Sequence, residues 1–454
     1  MLRRLLGLCF LATLLAVGCD SDGGSEASVT PSASATATST VFVLDHSTPT
    51  ATSAAGGPTA TEFPVESIPF RAWLADLESG ELHEVYEDED LAVWSARFEA
   101  DDVVILNGTA VGRDGQPVTA EVAPLCIPAD ELATLDGVEV SGWSSCAYVG
   151  PSGRYATYGV DAGEHEHPGG HRTPMWDQWV LDLETGERWL AQAGIVDCGG
   201  CDGAFGMTWS PDGRFFAIGD LGGPDRVFLV DTEARTTRLV AHGTQHQHKP
   251  AWSPNVPGQL LVRGEDGAAL LLDEVAGTEE TLPLAWPARF DPTGQLIYSP
   301  AGDGVSDGPT LIYDLRRGAI VAELSGVPDW SFLWNGDAAV VGTDEGFVAA
   351  IPGGECEGTA VYRSSEVGQC IEGALGAVPS NDGRRVAYSL ATDEVVSDPR
   401  RGTFTVYEVV VFDEATASEI VVAERVVSGP LPPRLIWNDG GDLLLIIAPH
   451  FAGI

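Results

Sequence analysis

Trp209-Ser-Pro-Asp-Gly-Arg214 is the stretch on which the fold turns, because relatives of it keep returning along the chain. They stand at Trp94-Ser95, Val149-Gly-Pro-Ser-Gly-Arg154, Trp252-Ser-Pro254 and Phe290-Asp-Pro-Thr-Gly294. Further copies are Trp334-Asn-Gly336, Val378-Pro-Ser-Asn-Asp-Gly-Arg384 and Trp437-Asn-Asp-Gly440. From Trp209 onward the steps are roughly 40 residues, the last nearer 60, a period that in a β-rich chain points to blades of four strands. In this phrase Pro presets φ and Gly accepts φ > 0, as a tight turn between a blade's first and second strands requires. The large apolar residue before the turn is placed to pack between neighbouring blades.

A second phrase, an apolar pair followed by Asp, runs in phase with the first. It reads Leu74-Ala-Asp76, Val180-Leu-Asp182, Leu229-Val-Asp231, Leu271-Leu-Asp273, Ile312-Tyr-Asp314 and Val411-Phe-Asp413. The apolar run is a strand, and the Asp opens a turn by accepting backbone N–H groups two residues on. One blade is then predicted as strands near 204–209, 214–219, 226–231 and 236–241. A β-sandwich also expects strands at short spacing, but not two phrases locked in phase. Counting the anchors gives eight blades; the one at Trp94 is poorly marked, which leaves seven as the alternative.

These phrases resemble the TolB-like and WD40-like repeats of bacterial extracytoplasmic β-propellers over most of residues 68–454. The Gly-His and Trp-Asp dipeptides of WD40 proteins are absent as a repeat, so the TolB-like form is the closer resemblance. It implies a fold and leaves the activity open.

Arg3 and Arg4, the apolar residues 5–17 and then Leu15-Ala-Val-Gly-Cys19 have the order of a secretory signal, with an apolar run too short to span a bilayer. Small residues directly before Cys19 resemble a lipoprotein lipobox, which implies a signal peptide at 1–18 and a lipid on Cys19. Residues 19–67 are rich in Ser, Thr, Ala and Pro and offer almost nothing to bury, the composition of a disordered tether. The propeller domain is then 68–454. The final turn phrase at Trp437 is followed by one strong strand, 443–448, with no Asp phrase after it, whereas 70–76 carries an Asp phrase with no turn phrase before it. The expectation is that these N-terminal and C-terminal strands share the last blade and close the ring.

The formal net charge of −43 repels nucleic acid and anionic headgroups, which excludes both as partners and leaves the lipid anchor as the only membrane contact. Beyond Cys9 and Cys19 there are six cysteines: Cys126, Cys146, Cys198, Cys201, Cys356 and Cys370. An even number outside the cytoplasm suggests disulfides, and sequence neighbourhood suggests the pairs 126–146, 198–201 and 356–370.

No Gly-x-Ser-x-Gly elbow, His-Glu-x-x-His, P-loop or Rossmann fingerprint occurs. Some propellers resembling this one precede a hydrolase domain, and none is expected here. The preferred reading is a non-enzymatic, membrane-anchored lipoprotein of the cell envelope whose loop face binds a protein or small ligand. The alternative is a metal carrier or metalloenzyme built on histidines. Glu164-His-Glu-His-Pro-Gly-Gly-His171 lies between second and third strands of one blade, and His242, His246 and His248 lead into another. Both loops are expected on one face, with His165, His167, His246 and His248 as ligands for a divalent transition metal such as zinc or copper. Glu164 or Glu166 would ligate or orient a ring.

Overall fold

The structure, a computed structural model, describes residues 68–89, 96–100, 102–118, 126–128, 132, 146–166, 170, 172–196, 208–220, 226–242, 250–264, 266–301, 308–327, 339–353, 356–398, 401–429 and 431–449. All of them belong to the second of two units, Met1–Thr61 and Glu62–Ile454. The strands form eight antiparallel sheets, six of four strands, one of five and one of three. The blades, numbered in chain order, cover 96–112, 126–196, 208–242, 251–285, 289–324, 340–372 and 374–428. Blade 8 joins 434–448 to 70–88. The unit is an all-β propeller of eight blades, as the anchors indicated. Among the described residues blade 1 has three strands, and Cys126–Pro128 pairs beside the first strand of blade 2, Cys146–Val149.

In blade 3 the strands are Thr208–Trp209, Phe215–Asp220, Arg226–Asp231 and Thr236–His242, close to the expected bounds. Its second and third strands are near-continuous apolar runs because both faces of a blade are covered. Phe216 and Ile218 pack toward Tyr155 and Val180 of blade 2, while Phe215 and Ala217 pack toward Leu260 and Val262 of blade 4. The core is thus a series of slabs between blades. One such slab joins Ala72, Leu445 and Ile447 of blade 8 to Val104, Leu106 and Val111 of blade 1.

The predicted turn chemistry is present. Ser210 Oγ donates to Asp212 at 2.5 Å and accepts from Phe215 N at 2.9 Å, and Gly213 sits at φ +70°. Asp76, Asp182 and Asp231 each accept two backbone N–H groups of the following turn. The tryptophans bridge blades: Trp252 Nε1 donates to Thr208 O and Trp437 Nε1 to Val378 O, both at 3.0 Å. A Cβ on Gly150 would lie 2.9 Å from the Trp209 ring, so glycine in blade 2 makes room for the anchor of blade 3.

Closure follows the expected pairing. Phe70–Asp76 lies between Glu81–Asp88 and Leu443–Ala448, with register from Arg71↔Ala448 to Asp76↔Leu443. Leu443–Ala448 is buried along its whole length, so an unpaired edge here would expose a wholly apolar strand.

Candidate functional site

In a propeller the turns joining first to second and third to fourth strands emerge on one face, and the remaining loops on the other. On the first of these faces, between blades 7, 8 and 1, lies a cavity of about 590 Å³ lined almost entirely by charge. Three arginines, Arg113, Arg384 and Arg385, meet Glu78, Asp102, Asp382, Asp413 and Asp442 there, beside Ala415 and Gly440.

Each side chain is placed by the repeat. Asp442 and Asp382 belong to the first turns of blades 8 and 7, and Asp413 ends the third strand of blade 7. Arg113 follows Thr109–Gly112, the third strand of blade 1. Its Nε and Nη2 form a two-pronged bond to Asp76, both prongs 2.8 Å. Nη1 donates to Asp442 at 2.7 Å and to Asp102 at 3.2 Å, and Nη2 also reaches Glu78 at 3.2 Å. One guanidinium therefore ties the N-terminal strand, the C-terminal turn and blade 1 together. Arg385 donates to Asp413 at 3.1 Å and to Gly441 O at 2.6 Å. Arg384 is different: its side chain is 79% exposed and pairs with Asp382 only at 3.8 Å.

The hydrogen bonds from Arg113 hold the Asp76 carboxyl well below the usual carboxylate range, against the opposing effect of burial, and the same pairing pushes the Arg113 guanidinium up. At Asp442 burial pulls upward, but hydrogen bonds from Asn438 and Arg113 outweigh it and the carboxyl ends below its ordinary value. Asp413 is lowered similarly, Arg385 and Thr416 overcoming burial. Groups held ionised this firmly make poor proton carriers near neutrality. What the arrangement offers is fixed charge of both signs around a concavity, with the exposed Arg384 placed to fork onto a carboxylate.

Only part of this site has a signal in the sequence. A basic residue after the turn phrase ties to the Asp of the second phrase in blades 2 and 3, as Arg154–Asp182 at 3.4 Å and Arg214–Asp231 at 2.7 Å, but nothing local marks Arg113 as the partner of Asp76 and Asp442.

Of the residues expected to bind metal, His165 lies near the end of Tyr155–Glu166, opposite Thr173 of the partner strand. His167, His246 and His248 lie outside the described residues, as do Cys19, Cys198 and Cys201. Glu164 and Glu166 both pair with Arg172, at 3.2 and 3.5 Å. Among the described residues no group of three or more His, Cys, Asp or Glu is disposed to hold a metal. A disulfide joins Cys356 to Cys370, and Cys126 and Cys146 lie in the paired strands Cys126–Pro128 and Cys146–Val149.

No family model matches the sequence, and neither does any curated protein. Solved structures are similar at a looser level. Kuenenia stuttgartiensis hydrazine synthase has 17% identity and a TM-score of 0.34, covering 53% of this chain and 72% of that one. TolB from Acinetobacter baumannii has 10% identity and a TM-score of 0.31, covering 84% of this chain and 64% of its own length. A TolB described as putative, from Agrobacterium tumefaciens, has 12% identity and a TM-score of 0.30, covering 84% and 98%. Likeness this loose carries no argument about activity, and the propeller rests on the sheets themselves.

Proposed function

We propose that the protein is an extracytoplasmic binding module, anchored through lipid on Cys19 and a tether over 19–67, that holds an envelope protein or small ligand on one face of its propeller. The observation that carries the binding reading is the charged cavity of about 590 Å³ at the seam of blades 7, 8 and 1. Its carboxylates are neutralised in place by Arg113 and Arg385, which suits recognition of a ligand carrying both charges rather than proton transfer. Support for the location comes from the signal-like N-terminus and from the Cys356–Cys370 disulfide, a bond favoured outside the cytoplasm.

Two measurements test the two parts separately. Replacing Cys19 by Ala should move the protein from the membrane fraction to the soluble fraction; unchanged attachment refutes the anchor. A photo-crosslinker at Ala415 should trap a discrete adduct in cells, lost when Arg384 is changed to Glu, while one at the exposed Val275 should trap none. Equal trapping at both positions refutes the cavity as the binding site.

A further inference from the structure

Most second strands of the blades are short: Phe215–Asp220, Gln259–Arg263 and Leu296–Pro300 have 6, 5 and 5 residues. In blade 7 the second and third strands are Arg385–Asp398 and Gly402–Asp413, with 14 and 12 residues. At about 3.3 Å per residue the hairpin projects roughly 25 Å beyond a normal blade. It bends where Ala391 pairs Tyr407 but Val395 pairs Thr405, and Phe404 and Val406 in its outer half are buried. One side of the extension is therefore packed, while Asp393, Glu394 and Val395 on the other strand stay exposed.

The tip grips the start of the described chain. Asp398, 2% exposed, accepts Ile68 N at 2.9 Å, and Arg401 Nη1 donates to Ile68 O at 2.7 Å. The guanidinium lies 4.2 Å over the Phe70 ring and also donates to Glu89 O. Ile68 precedes the strand Phe70–Asp76 and Glu89 follows Glu81–Asp88, so one arginine spans the open end of the N-terminal hairpin.

We infer that this tip is a latch for the ring. The hairpin 70–88 is the only part of blade 8 that comes from the other end of the chain, and its release would bare the apolar strand Leu443–Ala448. The Asp398–Arg401 grip sets how often that release occurs, and so guards the edge against pairing with the same hairpin of a second copy. The inference is independent of what the propeller binds.

Hydrogen exchange on the full chain tests it. Arg401→Ala should lower protection of the 71–76 and 443–448 amides at least tenfold while leaving 259–263 in blade 4 unchanged, and a dimer should appear on gel filtration. Asp398→Asn, which keeps an oxygen for Ile68 N–H, should lower protection less than Arg401→Ala. Arg425→Ala, which breaks only the exposed pair with Glu394 on the same blade, should leave 71–76 as in the parent. Unchanged protection at 71–76 in Arg401→Ala, or an equal loss in blade 4, overturns the latch.

Discussion

Two glycines with almost the same backbone separate local turn chemistry from packing between blades. Gly186 (φ +72°) and Gly213 (φ +70°) both sit in blade turns, and both would strain an alanine by about 1–2 kcal/mol in the left-handed region. Their surroundings differ. A Cβ on Gly186 meets nothing within 4 Å, whereas one on Gly213 would lie 2.7 Å from the backbone N and from Oγ of Ser152, in the turn of blade 2. The hydroxyl can rotate away but the backbone cannot, so Gly213→Ala adds an overpacking cost of about 1–3 kcal/mol. Gly186→Ala is thus expected to lose about 1–2 kcal/mol and Gly213→Ala about 2–5 kcal/mol. Over about 390 residues the unfolding entropy is large enough that 1 kcal/mol moves the midpoint by only about 1 °C. Urea unfolding followed by tryptophan fluorescence therefore resolves the pair better than a thermal scan. The double change Ser152→Gly with Gly213→Ala should recover part of the extra loss, since two of the three close atoms disappear. Equal losses at 186 and 213, or strict additivity in the double variant, would show that the turns do not bear on one another.

Three further outcomes follow from the charged seam and from the Cys356–Cys370 disulfide, the staple of blade 6. Arg113→Ala strips Asp76 and Asp442 of their shared cation and should cost about 2–4 kcal/mol in urea unfolding, with Arg113→Lys recovering only part because an ammonium cannot form the two-pronged bond. Asp76, Asp182, Asp231, Asp413 and Asp442 all have folded values below their ordinary ones, so their contribution is fully present above about pH 4 and is lost as pH falls further. Stability measured from pH 7 downward should therefore hold to about pH 4 and then drop, and Arg113→Ala should flatten that drop. Replacing both Cys356 and Cys370 by Ala removes a cross-link over a separation of 14 and should cost about 3 kcal/mol in urea unfolding without reductant, and an unchanged midpoint would refute the staple.

The sequence alone determined the repeat and the closing strand and left the blade number at eight or seven, because the turn phrases rest on interactions spanning a few residues and the phrase at Trp94 is poorly marked. Asp76, Asp182, Asp231 and Asp314, each ending a third strand, cap their own turns two and three residues on, and the glycine of Trp209-Ser-Pro-Asp-Gly answers to its own φ. Ring closure was legible for the same reason: an Asp phrase lacking its turn phrase at 70–76 matched a turn phrase lacking its Asp phrase at 437–448. What only the tertiary structure decided lies between blades. Arg113 meets Asp442 across 329 positions and Ile68 meets Asp398 across 330, and no local pattern encodes which turns of separate blades will face one another. The same holds for Gly213, whose second reason to be glycine is the backbone of Ser152. A repeated sequence fixes each blade through short-range bonds. The charged seam and the latch arise where non-equivalent blades are brought side by side, and that juxtaposition exists only once the ring has formed.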